Sequence, residues 1–219
     1  MTPPVAWSPS QPGCPELPVG ASSARVWHRT RVADEVVLVR HGATEWSESG
    51  RHTGRTDLPL TVAGRAEAEA LRARVIDREY ALVLVSPLQR ARETCRLVGL
   101  DADAEVDDDL CEWDYGDFEG LTTVEIRRTR PSWTVFTDGS PNGETPAQVG
   151  ARADQVIGRV DAVDGTVALV AHGHLLRVLA ARWIGLPPAG GARLYLGTGT
   201  LSTLGFQRET KVVQSWNCA

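Results

Sequence analysis

Three short apolar runs recur along the chain: Val36-Val37-Leu38-Val39, Ala81-Leu82-Val83-Leu84-Val85 and Thr166-Val167-Ala168-Leu169-Val170-Ala171. Runs of this length, rich in β-branched side chains and without a polar alternate, suit strands covered on both faces. Parallel strands need crossover connections, and helix-like segments separate these three. The expected fold is therefore α/β, a three-layer α/β/α sandwich around a mainly parallel, mixed sheet.

The helix signals support this. Thr61 is a plausible N-cap for an alanine- and charge-rich helix to about Arg78, with Ala68, Leu71, Val75 and Ile76 along one face. Ser86-Pro87 reads as the cap and first-turn proline of the next helix. Thr145-Pro146-Ala147-Gln148 is a capping-box start for a helix to about Val163, and a further helix is expected over Leu175 to Ile184. Thr200 to Phe206 and Lys211 to Trp216 alternate like a pair of edge strands around Arg208-Glu209.

Each apolar run ends in polar residues that a turn alone does not explain: Arg40-His41-Gly42, Ser86-Pro87-Leu88-Gln89-Arg90 and Ala171-His172-Gly173-His174. In a parallel sheet these ends lie on one edge, so residues about 130 apart can converge on one pocket. An imidazole beside a permanent cation is poor electrostatic company, and an anion resolves the conflict. Phosphate fits, because a guanidinium forks onto two oxygens and a neutral imidazole nitrogen can attack phosphorus. A helix beginning near His174 would add backbone N–H donors. A departing alkoxide also needs a proton, and Cys111-Glu112-Trp113-Asp114-Tyr115-Gly116 offers two carboxyl groups, Glu112 and Asp114.

Composition sets the bounds. A chain of 219 residues fits one domain with a real core. Six of the thirteen prolines fall in the first 18 residues, so residues 1–33 read as a disordered, proline-rich tail and 34–219 as the folded domain. The net charge of −5 disfavours a nucleic-acid surface. No apolar stretch approaches the ~20 residues of a membrane span, and the first residues lack the basic start and apolar run of a secretory signal. Cys14, Cys95, Cys111 and Cys218 form no CxxC pair and read as free thiols in a reducing, cytoplasmic compartment, with Cys95 packed in a helix.

Leu38-Val39-Arg40-His41-Gly42, followed by Thr53-Gly54-Arg55-Thr56-Asp57-Leu58-Pro59-Leu60-Thr61, resembles the histidine phosphatase superfamily, the phosphoglycerate-mutase-like branch 1, over roughly residues 35–206. The resemblance implies a phosphoglycerate-mutase-like fold. It makes His41 the nucleophile and gives the phosphoryl oxygens to Arg40, Arg90 and His172. It makes Glu112, in a Glu-x-x-Tyr-Gly segment, the general acid. Further substrate contacts are implied at Thr44, Ser47, Thr53, Gly54 and Gly173, although Ala43 and Ser47 stand where relatives often carry Glu and Asn. His52 and His174 read as hydrogen-bonded structural histidines. No metal and no cofactor is implied, because two arginines supply the charge that magnesium supplies elsewhere.

The expected activity is a metal-independent phosphomonoesterase acting through phosphohistidine on a small phosphorylated metabolite. Its partner is that substrate, with no nucleic acid and no membrane, and a homodimer is left open. A phosphoglycerate mutase is the alternative. Against it, no lysine stands in Leu121-Thr122-Thr123-Val124-Glu125-Ile126 and no basic residue lies between Arg130 and Gly143. A metal hydrolase using His41, His172 and Glu112 would place a cation beside two guanidiniums, and a non-catalytic phosphate-binding protein would not need a nucleophile and an acid.

Overall fold

The computed structural model describes residues 33–219, so the proline-rich stretch and Cys14 lie outside the described residues. In chain order the elements are β1 (Ala33–Arg40), α1 (Glu45–Glu48), α2 (Val62–Val75), β2 (Tyr80–Val85), α3 (Gln89–Val98), β3 (Ala104–Val106) and α4 (Thr123–Arg127). They continue with α5 (Val135–Asp138), α6 (Pro146–Asp161), β4 (Gly165–Ala171), α7 (Gly173–Trp183), β5 (Leu201–Gln207) and β6 (Thr210–Cys218). β1 opens one residue ahead of the expected domain start, with Ala33 already buried.

The strands form one mixed sheet in the order β3-β2-β4-β1-β5-β6. β3, β2, β4 and β1 run parallel, and β5 pairs antiparallel with both β1 and β6. Alternation along each strand sorts the core into two layers. Val37, Val39, Val83, Val85, Ala168 and Val170 face Leu71 and Val75 of α2 and Ala91, Cys95 and Val98 of α3. Val36, Leu38, Leu84, Val167 and Leu169 face Val149, Ala153 and Val156 of α6 and Leu175, Leu176 and Leu179 of α7. Truncating a fully buried side chain such as Leu169 to Ala in such a core costs about 2–5 kcal/mol.

Several sequence expectations need correction. β5 is an interior strand, because β1 offers it a partner that the local pattern does not reveal, and of this pair only β6 is an edge. α3 begins at Gln89 with no side-chain cap from Leu88; the Gln89 N–H is taken by Asp57 Oδ1 at 2.8 Å instead. The Ser86 hydroxyl oxygen accepts instead from the Leu88 N–H at 3.4 Å, and it also lies 2.7 Å from His172 Nε2. α2 stops at Val75, short of Arg78, where the Tyr80 hydroxyl donates to the Val75 carbonyl at 2.9 Å. α6 ends at Asp161 rather than Val163. The capping box of Thr145 and Gln148 is present.

Candidate active site

Arg40 of β1 is paired in register with Ala171 of β4, so His41 and His172 each stand one residue beyond a matched pair. The His41 N–H donates to the Ala171 carbonyl and the Ser86 N–H to the Val170 carbonyl, both at 3.0 Å, which holds the three strand ends level. From here β1 leads to α2 on one face of the sheet and β4 leads to α7 on the other. Diverging connections between neighbouring parallel strands open a crevice at their carboxyl ends. A cavity of about 450 Å³ lies there, with Arg40, His41, Thr44, Glu112, Gly173 and Arg177 among its walls. The loop after β1 reaches it through a tight backbone crossing: a Cβ on Gly42 would stand 2.0 Å from the Gly64 carbonyl oxygen.

His41 is buried, and its Nδ1 lies 2.7 Å from the Gly42 carbonyl. A carbonyl only accepts, so Nδ1 carries the proton and Nε2 keeps a lone pair. Burial, then Arg90 and Arg40, hold this imidazole well below its ordinary pKa. Arg40 donates through Nη1 to the Leu196 carbonyl, while its buried Nε has no partner among the described residues. Gly173 makes room for this guanidinium, since a Cβ there would stand 3.0 Å from Arg40 Cζ.

Arg90 is fully buried and already engaged. Its Nε donates to His172 Nδ1 at 3.2 Å, Nη1 to the Thr56 carbonyl at 3.0 Å, and Nη2 to the Thr53 and Gly54 carbonyls at 3.2 and 2.9 Å. Four of the five donors that a guanidinium owns are thus spent on the loop and on His172. His172 accepts at Nδ1, so its Nε2 donates to Ser86 Oγ at 2.7 Å. Its ring centroid lies 5.0 Å from that of His41. Burial first, then Arg90 and His41, push its pKa well down.

Glu112 holds the N-terminus of α7. Its Oε1 accepts from the Trp113 and Leu175 N–H groups and its Oε2 from the His174 N–H, each at 2.9 Å. A carboxylate in that position satisfies orphan donors and meets the positive end of the helix dipole. This explains why α7 starts at Gly173 rather than Leu175. It also corrects the expectation that the α7 donors at His174 and Leu175 would serve phosphate. Asp114, the rival acid, accepts from the Gly116 N–H of its own turn and from Arg55 Nε, which ties it to the Thr53–Thr56 loop.

Thr44 and Ser47 share a capping box on α1, with the Ser47 hydroxyl donating to the Thr44 carbonyl at 2.9 Å. Both line the cavity, as does Thr53, whose hydroxyl donates to the Arg51 carbonyl at 3.3 Å. Gly54 does not line it, and its N–H is taken by Glu119 Oε1 at 2.8 Å, so Gly54 shapes the loop.

The sequence reading missed Tyr115, Arg177, Arg51, Thr123 and Tyr195 as wall residues. Arg177 could have been found, because it lies four residues after Gly173 and so on the same helical face. His52 and His174 are cavity residues too, gathered around Tyr115: the His52 ring is 4.7 Å from Tyr115, whose hydroxyl bonds His174 Nδ1. Burial lowers the His52 pKa to about 4. Among the described residues no group of His, Cys, Asp and Glu is arranged to hold a metal ion, and no helix is long and apolar enough to cross a membrane.

The sequence profile of the histidine phosphatase superfamily (branch 1) matches residues 36–219. An acid phosphatase of Mycobacterium tuberculosis is 41% identical over 176 residues, covering 78% of this chain and 86% of its own length. The sedoheptulose 1,7-bisphosphatase of Saccharomyces cerevisiae is 38% identical over 182 residues, 68% of this chain and 67% of the relative. Among solved structures, an M. tuberculosis open reading frame product superposes with a TM-score of 0.80 at 38% identity, covering 85% of this chain and 98% of that one. A mycobacterial glucosyl-3-phosphoglycerate phosphatase in complex with VO3 gives a TM-score of 0.76 at 29% identity, covering 85% and 100%.

Proposed function

Because the chain belongs to the histidine phosphatase superfamily, branch 1, we propose that it hydrolyses phosphomonoesters of small metabolites through a phosphohistidine at His41, without a metal. The observation that carries the reading is the pairing of a buried imidazole, kept neutral with Nδ1 tied to the Gly42 carbonyl, with Glu112 in the wall of the same cavity. Its relatives named acid phosphatase, sedoheptulose 1,7-bisphosphatase and glucosyl-3-phosphoglycerate phosphatase support hydrolysis of small phosphorylated metabolites.

In the first half-reaction the Nε2 lone pair of His41 attacks phosphorus in line, the ester P–O bond breaks, and Glu112 gives its proton to the leaving oxygen. The Gly42 carbonyl stabilises the positive charge that develops on the ring. In the second half, water attacks phosphorus, its proton goes to the Glu112 carboxylate, and the P–N bond breaks to return neutral His41. The unpartnered Nε of Arg40 donates to a phosphoryl oxygen in both halves, with positive charge from Arg90 behind it. Arg90, which does not line the cavity, acts by holding His172 and the Thr53–Thr56 loop. Glu112 keeps a lone pair on Oε2 for proton exchange. The enzyme works in the cytoplasm, where Cys95, Cys111 and Cys218 stay free thiols.

Rapid-quench labelling with a ³²P-phosphorylated substrate tests the assignment. His41→Ala should abolish an acid-labile, base-stable phosphoenzyme and lower turnover by several orders of magnitude, roughly the scale for loss of a covalent nucleophile. His172→Ala should keep a trace of label. Label on the peptide containing His172, or undiminished label in His41→Ala, refutes the reading.

A further inference from the structure

We propose that Arg177 builds a second anion site in the cavity wall, and that the preferred substrates are phosphomonoesters carrying a further carboxylate or phosphate. The proposal rests on the phosphatase reading above and names the substrate class for that site.

Gly173, His174 and Arg177 of α7 all face the cavity. Gly173 sits against the Arg40 guanidinium, at the phosphoryl end. Arg177 stands four residues, just over one helical turn, further on, about 6 Å along the axis. Its side chain is fixed there: Nε donates to the Gly191 carbonyl at 3.0 Å, Nη2 to the Ala192 carbonyl at 3.3 Å, and Cζ lies 4.5 Å from the centre of the Phe136 ring. So held, Arg177 is kept at its own station rather than doubling as a second ligand for the reacting phosphate.

None of these three partners carries a charge. Many described arginines have no carboxylate within 4.0 Å, but Arg152, as sheltered as Arg177, has Glu144 at 2.7 Å, whereas Arg177 has none among the described residues. Glu112, the carboxylate of the cavity wall, already accepts three backbone N–H groups. A partly desolvated guanidinium without a counter-ion is costly, and burial lowers the pKa of Arg177 accordingly. Tethering two carbonyls needs only neutral donors. What a full positive charge adds is attraction for an anion that arrives with the substrate. Donors left on the Arg177 fork, and Arg51 and the exposed Tyr195 in the same wall, suit a carboxylate or a phosphate.

Matched substrate pairs test the proposal on the intact chain. Glycerol 3-phosphate against 3-phosphoglycerate asks about a carboxylate, and fructose 6-phosphate against fructose 1,6-bisphosphate asks about a phosphate. The wild-type kcat/KM should favour the doubly anionic member of at least one pair by about 10-fold or more, mainly through KM, and Arg177→Gln should bring that ratio toward one. Arg177→Lys should keep part of it, and it takes the place of Arg177→Gln if the latter fails to fold, as judged by its melting curve. A wild-type ratio near one in both pairs overturns the proposal without any variant, and so does a ratio that survives in folded Arg177→Gln. If neither member of any pair nor p-nitrophenyl phosphate is hydrolysed, the phosphatase reading itself fails.

Discussion

Replacing Glu112 by Gln separates the cap that this carboxylate gives α7 from the proton exchange proposed for it. The amide oxygen can still accept from the Trp113 and Leu175 N–H groups, but the amide nitrogen then faces the His174 N–H, donor against donor. A buried donor left without an acceptor costs about 1–3 kcal/mol. The lost charge at the helix N-terminus adds about 0.3–2 kcal/mol. Glu112 is only 7% exposed, so water recovers little of either. The sum is about 1–5 kcal/mol, which for a domain of this size lowers Tm by about 3–20 °C.

The kinetic effect has a different signature. A general acid contributes about 10²–10⁴-fold, and only where the leaving oxygen needs a proton. Glu112→Gln should therefore lose about 10²–10⁴-fold in kcat/KM on an alkyl phosphate and less than about 10-fold on p-nitrophenyl phosphate, assayed well below the lowered Tm. Asp114→Asn, whose carboxylate is tied to Arg55 and the Gly116 N–H, should leave that leaving-group dependence unchanged. Equal losses on both substrates for Glu112→Gln would show that the residue supports the fold of the site and transfers no proton. A selective loss in Asp114→Asn would move the acid to Asp114.

Hydrolysis of p-nitrophenyl phosphate should persist in excess EDTA, because arginines supply the charge; loss that zinc or magnesium restores would contradict the metal-free reaction. His52, with a folded pKa of about 4 against 6.5 unfolded, is protonated first in the unfolded chain as pH falls. Its contribution to stability is therefore complete above about pH 6.5 and lost on the way down to about pH 4, at about 1.4 kcal/mol per unit. Urea melts across that window should show a slope shallower by about that amount in His52→Asn, and an unchanged slope would refute the shift. Gly173→Ala places a Cβ 3.0 Å from Arg40 Cζ, so kcat/KM should fall about 10-fold or more, while Tm stays within about 2 °C because Ala is the better helix former. Unchanged turnover would mean that Arg40 can give way without cost.

The fold was legible wherever one period governed a whole segment. Buried strands without polar alternates announce a parallel sheet, and Thr145 with Gln148 announces the start of α6. What escaped the sequence depended on partners distant in the chain. The interior position of β5 is decided by β1, more than 150 residues earlier, and β3 has only three residues, too few to show any period. The same division runs through the site. Arg40, His41, Arg90 and His172 were visible because strand ends and a family motif coincide there. Their division of labour was not, since it rests on which donors are already spent: Arg90 on three loop carbonyls and His172, and the α7 donors on Glu112. A motif names the residues that meet at a phosphate. Only the hydrogen-bond inventory around them favours Arg40, with its Nε unpartnered among the described residues, for the proposed phosphate, and Arg177, without a carboxylate there, for the proposed second anion.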